Sequence, residues 1–153
     1  MKLIAALFTL ILFLNNQKVE QKSTLKSVGL VDIEITVKNI KTQKGKILIG
    51  IFKDNASFDT EKPFKSVQAS KESMKNGLLK VTTQLEPGVY GASLLDDANN
   101  NTKMDYNFIG VPKEGFGFSN YYHKGFSKPK FKTFQFEVKE AVSTKIDMAI
   151  RYM

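Results

Sequence analysis

From Val31 to Lys38 the chain alternates one for one: Val31, Ile33, Ile35 and Val37 are apolar, and Asp32, Glu34, Thr36 and Lys38 between them are polar. A period of two sends the first set to one face, which predicts a strand with that face buried. Ile47 to Phe52 is instead continuously apolar with isoleucine at alternate positions, the pattern of a strand covered on both faces. Lys44-Gly45-Lys46 is a turn between them, so the two are expected to pair as a hairpin.

The pattern breaks from Lys53 to Pro63, where Asp54, Asn55, Ser57 and Asp59 favour a loop or short helical turn and Phe58 and Phe64 are free to pin it to the core. A weak strand follows from Lys65 to Ser70. Asn76-Gly77 tolerates positive φ at both residues and predicts a hairpin turn into Leu79, Val81, Thr83 and Leu85. Pro87-Gly88 ends that strand, and Val89 to Leu95 forms the next. Alternation returns at Phe134, Phe136 and Val138, and again at Ile146, Met148 and Ile150.

About seven strands with short turns, and no segment with helical period, predict an all-β fold: an antiparallel β-sandwich, immunoglobulin-like in layout. Residues 30–153 form its single domain, after a polar segment at 21–29. One long loop, residue 96 to about 130, separates the antepenultimate and penultimate strands without a sustained period. A connection of that length is usually functional.

Composition narrows the chemistry. The 153 residues include no cysteine, no tryptophan and one histidine. Disulfides, thiolate metal sites and a cysteine nucleophile are therefore excluded, as is a zinc site built on two or three histidines. Lys2 followed by the apolar run Leu3 to Leu14 has the layout of a cleavable export signal over residues 1–20, and it is too short to span a bilayer comfortably. No cysteine follows the run, so a lipoprotein anchor is excluded. The mature chain is expected to be secreted or periplasmic and not membrane-spanning. Loss of Lys2, Lys18 and Glu20 lowers the formal charge from +8 to about +7, so the basic balance survives processing.

Two stretches of the long loop are candidates for chemistry. Asp97, Asn99, Asn101 and Asp105 stand at positions 1, 3, 5 and 9 of a calcium-type loop, with the Lys103 carbonyl at position 7. Thr102 replaces the glycine at position 6, and Phe108 replaces the bidentate glutamate at position 12. Another acid, Asp96 or Glu114, is needed to complete the cage. The competing reading is an asparagine-rich turn that caps its own backbone.

Downstream, Phe108, Phe116 and Phe118 alternate with glycines and are expected to bury against the sandwich. Tyr121, Tyr122, His123, Lys124, Lys128, Lys130 and Lys132 are the densest aromatic and basic stretch, suited to carbohydrate or another anionic polymer. The alternative is a solvated lysine edge. Export argues against nucleic acid. His123 has no recognisable nucleophile elbow around Ser119 or Ser127, so no enzyme is expected.

Leu95-Asp96-Asp97, the acidic loop to Asp105, and Asn107-Phe108-Ile109-Gly110-Val111-Pro112-Lys113-Glu114-Gly115-Phe116-Gly117-Phe118-Ser119-Asn120 resemble the signature of an exported bacterial family, domain of unknown function 2141. Glu86-Pro87-Gly88-Val89-Tyr90 matches it as well. The resemblance runs from about Val31 to Ile150. It implies a transthyretin-like or collagen-adhesin B-type sandwich and a binding or structural module, with no activity attached. The loop of family members often resembles D-x-N-x-N-G-x-x-D, with glycine where this chain has Thr102. The expectation is a non-enzymatic envelope module whose Asp/Asn loop is ordered with or without calcium, its partner an envelope polysaccharide or protein.

Overall fold

The computed structural model describes residues 29–153, so the export segment and most of the polar segment after it lie outside the described residues. Eight strands occur among the described residues: β1 (Val31–Lys38), β2 (Lys46–Phe52), β3 (Lys65–Ser70), β4 (Leu79–Leu85), β5 (Gly88–Asp97), β6 (Gly115–Phe118), β7 (Gln135–Val138) and β8 (Thr144–Ala149). A short helix, α1 (Asn55–Asp59), follows β2, and a 3₁₀ turn (Phe131–Thr133) precedes β7. No helix among the described residues is long and apolar enough to cross a membrane.

The strands form two sheets, ordered β4-β1-β8 and β3-β2-β5-β6, with β7 also on β5. The inward residues of β1 (Ile33, Ile35, Val37) and of β2 (Ile47, Ile49, Ile51) are all buried in one core, together with Leu79, Leu85, Ile146 and Met148. That shared core explains why β1 and β2 are not the expected hairpin. Both edges of β1 are taken, by β4 antiparallel and β8 parallel, and the 39–45 connection arches to the opposite sheet. Among the described residues the β1·β8 pair is the one parallel element in a ladder expected to be wholly antiparallel.

The Asn76-Gly77 turn forms with both residues at positive φ, closed by paired bonds between Lys75 and Leu78. It joins strands of different sheets and makes no β3–β4 hairpin. The Gly77 carbonyl instead accepts the Ile40 N–H, 3.0 Å, which ties this turn to the β1–β2 arch. Phe58 is buried by α1, which Asp54 caps, whereas Phe64 is 52% exposed.

The long loop holds a strand that alternation does not reveal. In β6 the residues turned toward the other sheet are Gly115 and Gly117, because a Cβ there would come within 2.5 Å of Ile150 and 2.8 Å of the Ala149 carbonyl. Its phenylalanines face outward. They join a second cluster of Phe52, Phe58, Phe118, Phe131 and Phe134, with Phe116 and Tyr121 packed on it.

Candidate functional site

The outer face of the five-stranded sheet carries the candidate site. Register places Leu48, Leu95 and Phe116 in one row and Gly50, Ser93 and Phe118 in the next; Lys46 pairs Asp97 beyond them. The first two rows give an apolar floor. Residues 98–112 stand along one side of it, and residues 123–129 with the end of α1 along the other. Between them lies an open groove of about 860 Å³, whose walls include Met104, Tyr106 and Phe126.

The Asp/Asn wall is held by carboxylates rooted in the sheet. Asp97, fully buried at the end of β5, accepts the N–H of Asn101 at 3.0 Å on one oxygen and that of Thr102 at 3.1 Å on the other. Glu114, buried just before β6, accepts the N–H groups of Ala98 and Asp105 at 3.1 and 3.3 Å. Asp105 accepts the side-chain amides of Asn99 and Asn101 at 2.6 and 3.0 Å, and the Asn99 and Asn101 side-chain oxygens cap the backbone at Asn101 and Lys103.

The oxygens expected to converge on a cation thus converge on N–H donors. Asp96, the other acid considered for the cage, points through the sheet to its opposite face. The described residues contain no group of three or more acidic or histidine side chains able to hold a metal ion. In this arrangement the Asp97 and Asp105 carboxylates are engaged by N–H donors of the loop itself.

Thr102 takes the backbone conformation that glycine takes in such loops, φ 65°, and Asn100 precedes it at φ 62°. A β-branched residue is strained there. Thr102→Gly is expected to stabilise the protein by about 1 kcal/mol, a rise in Tm of roughly 3–5 °C in a thermal melt.

The aromatic and basic stretch separates into distinct roles. Tyr121 is half-buried on the outer aromatic cluster, and Tyr122 is exposed. His123 is buried against Phe116, Phe118 and Tyr121, and its Nε2 lies 2.7 Å from the Ser127 carbonyl, so that nitrogen carries the proton. The Ser119 hydroxyl is fully buried between the backbones of Ala92 and Phe134. Neither group is arranged as nucleophile and base.

Lys128 donates to the Phe58 carbonyl at 2.8 Å, lies over the Phe58 ring and sits 3.6 Å from Glu61, clamping the segment to α1. Lys124, Lys130 and Lys132 are exposed. The stretch is not a strand edge: it is loop and 3₁₀ turn, fixed by the Arg151 guanidinium, which donates to the carbonyls of His123 and Gly125 at 2.9 and 2.7 Å.

Sequence reasoning missed a buried polar triad at the end of the sandwich where β5 leads into the Asp/Asn loop. Lys71 and Asp96 are 1% and 3% exposed and form an ion pair. Lys71 also donates to the Lys44 carbonyl at 2.6 Å, and the Tyr152 hydroxyl donates to the second Asp96 oxygen. Burial, reinforced by that hydrogen bond, holds the Tyr152 phenol well above the ordinary phenol range. The signal was available in Asp96 itself, since a charge on the inward face of a strand requires a buried partner.

Phe108, expected to pack, is 99% exposed. The Asn107 side-chain oxygen accepts the N–H groups of Ile109 and Val111, and the resulting tight turn leaves Phe108 at its tip.

Residues 35–146 match the model of a family described as an uncharacterized protein conserved in bacteria, DUF2141. No curated protein and no solved structure matches the chain. With the Asp/Asn loop and the glycine-phenylalanine strand both inside the matched span, the chain belongs to the DUF2141 family.

Proposed function

We propose that the chain is an exported, non-enzymatic module of the periplasm or extracellular space that holds a stretch of acidic envelope polysaccharide in the groove across its outer sheet face. The observation that carries this reading is the groove: an apolar floor of Leu48, Leu95 and Phe116, aromatic rings at Tyr106 and Phe126, and the cations Lys103 and Lys128 along it. Sugar rings present apolar faces to aromatic walls, and carboxylate or sulfate groups find the lysines. The Asp/Asn loop builds one wall and is ordered by its own hydrogen bonds.

Asp97 and Asp105 already spend acceptor sites on N–H donors of the loop, and a cation would compete with them. Millimolar Ca²⁺ is therefore expected to move Tm by no more than about 1 °C. A larger rise that Asp97→Ala abolishes would reinstate a cation site.

Calorimetric titration with a heparin hexasaccharide, a soluble acidic probe, tests the groove. Phe126→Ala and Lys103→Gln are each expected to weaken binding by about fivefold or more. Lys130→Gln and Lys132→Gln are expected to leave it nearly unchanged. If all four lysine and aromatic variants weaken binding equally, or the wild type shows none, the groove reading fails.

A further inference from the structure

The hairpin that walls the groove ends in an apolar tip that nothing among the described residues covers. Tyr106 pairs with Pro112 at its base, the Asn107 N–H donates to the Val111 carbonyl at 2.9 Å, and the Gly110 N–H donates to the Asn107 carbonyl at 3.0 Å. With the Asn107 side chain holding two further N–H groups, the turn is tightly cross-bonded. Phe108 and Ile109 stand out from it, 99% and 67% exposed. A turn built this firmly keeps its apolar side chains outward instead of letting them fold back onto the groove.

The free charge beside the tip is cationic. Lys103 and Lys113, which flank the hairpin, are exposed, whereas the acids next to them, Asp105 and Glu114, are occupied by N–H donors from the same segment. We propose that the Phe108-Ile109 tip is a membrane-docking point that inserts into a bilayer surface carrying anionic headgroups, with Lys103 and Lys113 at its base held against those headgroups. The tip is convex, and a convex apolar projection needs no shaped pocket in a lipid layer, while the cationic surround complements an anionic leaflet. This goes beyond the polysaccharide groove, with which it shares Lys103, and the two are told apart because oligosaccharide binding is read without lipid.

The chain has no tryptophan, so Phe108→Trp in the full chain makes a unique local reporter. Its emission is expected to shift to the blue with vesicles of mixed phosphatidylglycerol and phosphatidylcholine, and to be quenched by bromine atoms on the acyl chains. A control reporter at Phe64→Trp, the last residue of the β2–β3 connection and half exposed, is expected to do neither. Adding Lys103→Gln and Lys113→Gln is expected to weaken partitioning by about tenfold or more, as is replacing phosphatidylglycerol by phosphatidylcholine. Absence of quenching at position 108, equal quenching at 64 and 108, or equal partitioning into phosphatidylcholine alone would overturn the proposal.

Discussion

Lys71→Ala is expected to destabilise the protein by about 3–5 kcal/mol, because it leaves the Asp96 carboxylate buried without its cation. Lys71 follows β3 and reaches past the end of β2 to Asp96 on β5, while also donating to Lys44 in the β1–β2 arch. One side chain therefore ties three chain segments at one end of the sandwich, and Tyr152 brings in a fourth. Urea unfolding measures the loss. The paired change Lys71→Met with Asp96→Leu removes both charges and is expected to recover most of it; a double variant as unstable as the single one would show that the packing, not the unpaired charge, sets the cost.

The same cluster gives a pH dependence. The folded Tyr152 phenol titrates above its unfolded value, so its contribution is fully present below about pH 10 and is lost as pH rises toward the folded value. Tyr152→Phe is expected to lower stability at neutral pH and to flatten the decline on the alkaline side, as followed by urea unfolding at stepped pH.

Asp97→Ala is expected to cost about 3 kcal/mol or more, since two N–H groups lose a charged acceptor at a fully buried site. The consequence reaches further than stability, because Asp97 and Glu114 are the points where the 98–112 wall is fixed to the sheet. Amide exchange at Asn101 and Thr102 is expected to rise far more than exchange in β1 or β8. An Asp97→Ala variant that keeps slow exchange at Asn101 and Thr102 would mean the wall is ordered from elsewhere.

The strands of the three-stranded sheet were legible because each carries apolar residues at alternate positions, as at Ile33, Ile35 and Val37 and at Ile146 and Met148. Which strands pair was not. Ile47, Ile49 and Ile51 satisfy the same burial whether β2 lies beside β1 or across the core from it, and local sequence does not distinguish the two. β6 was hidden for a different reason: close approach of Ile150, Tyr152 and Ala149 requires glycine at its inward positions, which removes the apolar signal that marks a strand.

At the candidate site, the spacing of Asp97, Asn99, Asn101 and Asp105 was readable both as a calcium-type loop and as a turn capping its own backbone. It did not reveal whether oxygens or N–H groups face inward, since Asn offers both. The lysine run suggested one surface, but Lys128 is drawn away by the Phe58 carbonyl and Glu61, a contact across about 70 residues that no local pattern encodes. The groove itself combines Leu48, Leu95 and Phe116 from three strands, and only the register brings them into one row.

The central claim, that this row and its two walls form a binding groove, is tested most directly by mapping amide chemical shifts of the labelled protein during titration with the heparin hexasaccharide. The predicted result is a contiguous set of perturbations at Leu48, Leu95, Lys103, Phe116 and Phe126, with Lys130, Lys132 and the outer face of β1 unmoved. Perturbations scattered over exposed lysines on both sheets, with Leu95 and Phe116 silent, would contradict it.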